Sequence, residues 1–148
     1  MIKKLFNKII GNTVSSMSFQ QAMDLLGLPV ITLYQGGKKF NFILDTGSTH
    51  NIINKSVLPE MNYHICEDVK SNLSGIECNK KQVDMCAINL TYKDKEYPST
   101  YLIGDLDDTF ADMKKESGVN LHGLLGSSFF NQYRYVIDFN ELIAYSKA

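Results

Sequence analysis

From Pro29 onward the apolar residues of this chain recur at every second position, and that period sets the class of fold. PVITLYQ, then Gly36-Gly37, then KKFNFILD reads as strand, two-residue turn, strand. A Gly-Gly pair supplies the positive φ angles of a tight hairpin turn, and β-branched and aromatic residues alternate on both sides of it. Tyr63 to Val69, Gln82 to Tyr92 and Tyr97 to Ile103 read as further strands, with a hairpin tip over Ser71 to Asn79 centred on Gly75. Two short helices are expected among them. Asp107 or Asp108 is placed to cap DTFADMKKES, which Gly118 closes, and Ser127 or Ser128 to cap SFFNQY. A last hairpin, RYVIDF-NE-LIAY, follows, with Tyr133, Tyr135, Phe139 and Tyr145 expected in its core.

Upstream of Pro29 the period is helical. Ile2, Leu5, Phe6, Ile9 and Ile10 recur on one face with Lys3, Lys4 and Lys8 opposite. Ser18-Phe19-Gln20-Gln21 then matches a capping box, with Met17 as a staple, and Gly27 and Pro29 end that helix. Residues 1–28 are therefore expected to form a helical arm ahead of a single domain over residues 29–148. The basic segment suits docking on its own domain or on a second copy; contact with a membrane surface is the weaker reading, because ten residues hold a membrane poorly alone.

Charge and length exclude several classes. Fifteen Lys+Arg against sixteen Asp+Glu leave a net charge of −1, which offers no positive field for nucleic acid. The longest apolar runs fall far short of the ~20 residues that span a bilayer. The N-terminus has no unbroken apolar core of a secretory signal, and the three cysteines lack a pairing pattern. Reduced thiols and a cytoplasmic location are the expectation. Cys66, Cys78 and Cys86 with His64 are spaced too irregularly for zinc, and Asp105, Asp107 and Asp108 lack the glycine and distal glutamate of a calcium loop. No metal or cofactor is expected.

The chemistry gathers at Phe42-Ile43-Leu44-Asp45-Thr46-Gly47-Ser48-Thr49, an apolar strand ending in a carboxylate at the start of a tight loop. Gly47, lacking a β-carbon, lets the backbone pass close enough to offer Asp45 an N–H, and the Ser48 hydroxyl is positioned to donate a second hydrogen bond. Both would favour the ionised acid.

Asp45-Thr46-Gly47-Ser48 after a strand resembles the active-site loop of aspartic peptidases. His122-Gly123-Leu124-Leu125-Gly126-Ser127 resembles the hydrophobic-hydrophobic-Gly motif that these enzymes set beneath that loop, again followed by a short helix. Only one Asp-Thr-Gly is present, so the chain is similar to the single-lobe retropepsins, which act as symmetric homodimers. The resemblance implies a mainly β fold, a closed acid-protease barrel with one short C-terminal helix, to which this chain adds an inserted helix and the helical arm. It implies catalysis by Asp45 from two protomers on a peptide or protein substrate. Thr46 would grip the opposite loop, and Gly47 and Ser48 would hold the carboxylates in plane. Gly75 and Ile76 in the covering hairpin, with Thr49 and His50, would meet the substrate, and Leu124, Leu125 and Gly126 would support the loop from below. Ser48, Thr49 and His50 stand where retroviral enzymes carry Ala and acidic residues, and Ser127-Ser128 where many carry Arg-Asn. Substrate preference therefore does not transfer, and the dimer contacts differ. The rival reading is a catalytically silent binding or assembly module on the same fold.

Overall fold

The computed structural model describes residues 18–66, 71–72 and 82–148. In chain order these form α1 (Phe19–Leu26), β1 (Val30–Gln35), β2 (Lys38–Leu44), β3 (Asn51–Asn54), a 3-10 turn (Lys55–Glu60), β4 (His64–Ile65), β5 (Ser71–Asn72), β6 (Gln82–Val83), β7 (Met85–Tyr92) and β8 (Lys95–Gly104). Then come α2 (Asp107–Ser117), β9 (Gly123–Leu125), α3 (Ser127–Gln132), β10 (Tyr135–Asp138) and β11 (Ile143–Ser146).

Six strands close a barrel in the order β1-β2-β9-β3-β8-β7, and β7 returns to β1 where Tyr34 faces Thr91. The other end of β7 takes β4 as its partner. β1 with β2 and β7 with β8 are antiparallel hairpins, as expected from the short turns; β9 with β3 and β7 with β1 are antiparallel across long connections, and β2 with β9 and β3 with β8 are parallel. Gly36 and Gly37, at φ 56° and 78°, make the β1–β2 turn in the left-handed region that side chains avoid. β5 and β6 pair antiparallel, Ser71 with Val83 and Asn72 with Gln82, on either side of the expected hairpin tip. Gly75, Ile76, Cys78 and the segment Ile2–Met17 lie outside the described residues.

The end of β2, Phe42-Ile43-Leu44, is apolar at three successive positions because both of its faces are buried. Phe40, Phe42 and Leu44 point into the barrel, against Leu33, Ile53, Ile88, Leu90, Tyr101, Leu125 and Phe129. Ile43 points the other way, into a second cluster with Val30, Ala22 and Leu25 of α1, Phe110 of α2, Val119 and Leu121. A strand buried on both faces needs apolar residues at both parities. Helices α1 and α2 thus cover the outside of the strand that delivers Asp45.

The capping box at α1 is formed: Ser18 Oγ accepts from Gln21 N, Gln21 Oε1 accepts from Ser18 N, and Gly27 closes the helix. The other two caps differ from expectation. α2 begins at Asp107 behind Leu106, with no side-chain cap; Asp105 meets the Asp107 N–H instead. The Asp107 carboxylate turns to the Ser56 hydroxyl and the Asn54 amide, which hold it below the usual carboxylate range. α3 starts behind Gly126, and neither serine caps it. The last hairpin has only one packed face: Tyr135, Ile137, Leu142 and Ala144 lie against the core, so the alternate residues face out. Tyr145 is 43% exposed and Phe139, at the turn, 59%, so neither is core; the Phe139 ring meets the Phe19 ring edge-on.

His122 is buried immediately before β9, and its ring prolongs the β2–β9 ladder. Asn41 N donates to Nδ1 at 2.8 Å while His122 N donates to Asn41 O at 2.9 Å. The neutral ring therefore carries its proton on Nε2, 3.3 Å from the Asn120 amide. Burial lowers the proton affinity of this ring, the charge of Glu60 opposing it. The unfolded chain binds the proton near pH 6.5 and the folded chain only at lower pH, so stability is complete above about 6.5 and falls as the pH drops. Unfolding free energies from urea titrations between pH 7.5 and 5 should decline, by at most about 1.4 kcal/mol per pH unit for this one proton. His122→Gln should flatten the slope over that range.

Candidate active site

The Asp45 loop leaves the end of β2 and is held from behind by the turn between β9 and α3. Asp45 N donates to Leu125 O at 2.9 Å, the last rung of the parallel ladder. Ser127 N and Ser128 N donate to Ser48 O and Thr49 O at 2.8 and 3.1 Å. Three backbone bonds, one at Leu125 in the expected supporting motif Leu124-Leu125-Gly126 and two at Ser127 and Ser128 just beyond it, thus stitch this turn to the expected catalytic loop, though the two are about 80 residues apart in sequence.

Gly126 allows this stitching by having no side chain. A β-carbon there would lie 2.5 Å from His50 O and 2.6 Å from Ser48 O, inside any tolerable contact. Gly123 is equally confined, 2.4 Å from Ile52 O. The late glycines are therefore points where one backbone runs directly against another.

Within the loop, Gly47 N donates to Asp45 Oδ1 at 3.0 Å, as the sequence suggests. Ser48 N closes the turn onto Asp45 O at 3.2 Å. The Ser48 hydroxyl does not reach the carboxylate: it donates to His50 O at 2.7 Å and braces the loop instead. Asp45 is half-buried, Thr46, Gly47 and Thr49 are exposed, and His50 is half-buried. The arrangement presents one carboxylate, oriented by a backbone N–H, at a rigidly backed surface. Gly75 and Ile76, expected over the substrate, lie outside the described residues. Asp138 is a turn carboxylate whose Oδ1 accepts Asn140 N and Glu141 N. Among the described residues no cluster of three or more His, Cys, Asp or Glu side chains could hold a metal. Cys86 is buried, its thiol pushed up to about 11 by burial, and is part of the core.

Two polar residues here escape notice in the sequence. Asn51, buried at the start of β3, accepts from Gly126 N at 2.9 Å and donates to Ser99 Oγ and Thr100 O. Asn54, at the other end of β3, donates to Asp107 and accepts from Leu106 N at the start of α2. The available signal is the strand NIIN itself, in which asparagines, poor strand formers, bracket an apolar pair.

The family model for the retroviral aspartyl protease matches residues 27–135. The chain belongs to that family, and its closed six-stranded barrel with a few helices is the retropepsin fold. Three solved structures are similar. The retroviral protease-like domain of Ddi1 from Leishmania major shares 9% identity with a TM-score of 0.49, covering 81% of this chain and 88% of that one. A retropepsin-like aspartic protease from Rickettsia conorii shares 18% identity at 0.46, with 77% of each chain covered. EIAV protease complexed with the inhibitor HBY-793 shares 11% at 0.46, covering 71% and 86%. No curated protein sequence matches the chain.

Because a β-carbon at position 126 meets two carbonyl oxygens, Gly126→Ala should lower the unfolding free energy by about 1–3 kcal/mol, the usual range for overpacking. Chemical denaturation checks this. Ser127→Ala, on an exposed side chain that caps nothing, should leave the midpoint unchanged within about 0.5 kcal/mol.

Proposed function

We propose that this protein is an aspartic endopeptidase whose active site is completed by a second copy of the chain. The observation that carries the reading is the Asp45 carboxylate, oriented by Gly47 N–H at a partly exposed loop that Leu125–Ser128 holds from behind. One such loop supplies one acid. General acid–base hydrolysis of a peptide bond by carboxyl groups uses two, and Asp138, in the last hairpin turn, has Oδ1 taken by backbone amides. A two-fold axis through the loop tips would supply the missing acid by symmetry.

In such a pair the carboxylates cannot both ionise cheaply at short separation, so they share one proton, the behaviour for which aspartic-protease dyads are the standard instance. The ionised Asp45 takes a proton from a bound water as that water attacks the scissile carbonyl. The protonated Asp45 of the other copy gives its proton to the carbonyl oxygen as the carbon becomes tetrahedral, forming a gem-diol. Collapse of the gem-diol transfers a proton to the leaving amine and returns the pair to its starting state. Exposed Thr46 stands at the tip where the two loops would meet, and Thr49 and His50 flank the path of an extended peptide.

Wild type and Asp45→Asn, purified alike, should be incubated with a mixed peptide library from acidic to neutral pH. The wild type should cleave, and the variant should lose about 10²–10⁴-fold, the usual range for losing an acid or base. Specific activity should rise with protein concentration until the dimer is saturated. Equal, negligible cleavage by both proteins at saturating concentration would favour a silent binding or assembly module.

A further inference from the structure

We propose that Asn51 is a positioning residue for Asp45, acting through the peptide unit between Leu125 and Gly126; as a statement about catalysis this rests on the peptidase reading above. In a trans peptide the C=O and N–H lie in one plane and point in opposite directions within it. The Leu125–Gly126 unit uses both: its carbonyl accepts Asp45 N–H at 2.9 Å, and its N–H donates to Asn51 Oδ1 at 2.9 Å. Asp45 and Asn51 thus grip opposite edges of the same rigid plate.

That plate needs gripping. Gly126 is obligatory because of the close approach to Ser48 O and His50 O, yet glycine also leaves the adjoining backbone freer to rotate than any other residue would. A rotation of this one peptide would withdraw the acceptor from Asp45 N–H. It would also tilt the turn from which Ser127 N and Ser128 N hold Ser48 O and Thr49 O. Asn51 opposes that rotation from a fixed seat. Its side chain is 1% exposed, and its amide donates to Ser99 Oγ at 3.0 Å and to Thr100 O at 3.1 Å on β8. Those partners determine which way the amide points, since a flipped group would set carbonyl against carbonyl at Thr100 and N–H against N–H at Gly126. Ser99 in turn donates to Gln132 Oε1 at the end of α3, so the seat is tied to the element that follows the turn.

Asn51→Leu keeps the volume and removes all three bonds, whereas Asn51→Asp keeps an acceptor for Gly126 N–H and loses the donors. Amide hydrogen exchange, followed residue by residue, reads the plate directly. In Asn51→Leu, exchange at Asp45, Ser127 and Ser128 should quicken on the order of tenfold or more relative to Leu90 N–H in β7, and Asn51→Asp should recover part of the protection. On a cleaved peptide, Asn51→Leu should lose on the order of 10- to 100-fold in kcat with KM nearly unchanged, and Asn51→Asp should lose less. Should Asn51→Leu not fold, Ser99→Ala, which removes one acceptor of the Asn51 amide, should quicken exchange at Gly126 and Asp45 selectively. Unchanged protection at Asp45, or a loss shared equally with Leu90, would overturn the proposal. A wild type that cleaves nothing while Asn51→Leu selectively exposes Asp45 would overturn the peptidase reading and uphold the positioning role.

Discussion

The parallel contact between β2 and β9 is the interaction on which the rest of the site depends. It joins Phe42, Ile43 and Leu44 to Gly123, Leu124 and Leu125, and its next rung fixes Asp45. Closing a loop of about 80 residues costs chain entropy that only a few hydrogen bonds return locally, so the contact must be held by what lies on either side of it. Inside the barrel, Phe42, Leu44 and Leu125 share one buried cluster with Phe129 of α3; outside, Ile43 and Leu124 meet the cluster capped by α1 and α2. Burial on both faces therefore clamps a pairing that is too short to persist alone. By covering the barrel here, α1 and α2 turn β2 into an interior strand.

What could be read from the sequence follows the range of each interaction. The Gly36-Gly37 hairpin, the capping box at Ser18 and the closing glycine after Ser117 depend on residues within a few positions of one another, and all are found in place. The Asp45 loop and the Gly-Leu-Leu-Gly strand carry motifs whose chemistry is local, although their meeting is not. Individual polar side chains are less legible, because a hydroxyl or carboxylate takes whichever partner the tertiary structure brings nearest. Ser48 turns to His50 O rather than Asp45, Asp107 turns to Ser56 and Asn54 rather than to its own helix, and Ser127 stays outside α3's cap. Phe139 and Tyr145 show the opposite error: aromatic character marks them as core, but a two-stranded hairpin has only one face to bury.

The exposure of the loop tip has the same origin as its anchoring. A loop anchored by three backbone bonds to its neighbour can hold a carboxylate in place but cannot fold back to supply a second one. Thr46 and Gly47 are exposed at the tip, while the residues behind them, Leu44, Leu125 and Gly126, are buried. The loop therefore offers its tip outward with its support already complete within one chain.

Strand β9 shows how such a short element is kept in register. It has three residues with a glycine at each boundary, Gly123 at its start and Gly126 just beyond its end, and each is required because backbone passes within a β-carbon's reach. Glycine at both limits would ordinarily leave the strand weakly determined. Side chains extend the ladder instead: at the near end His122 Nδ1 takes the N–H of Asn41, and at the far end Asn51 Oδ1 takes the N–H of Gly126. Each is buried, and the asparagine is held by further polar partners, Ser99 and Thr100. The strand beneath Asp45 is thus prolonged at both ends beyond its three backbone pairs. Because the added rungs are side chains, their strength depends on protonation at one end and on amide orientation at the other, which a purely backbone ladder would not.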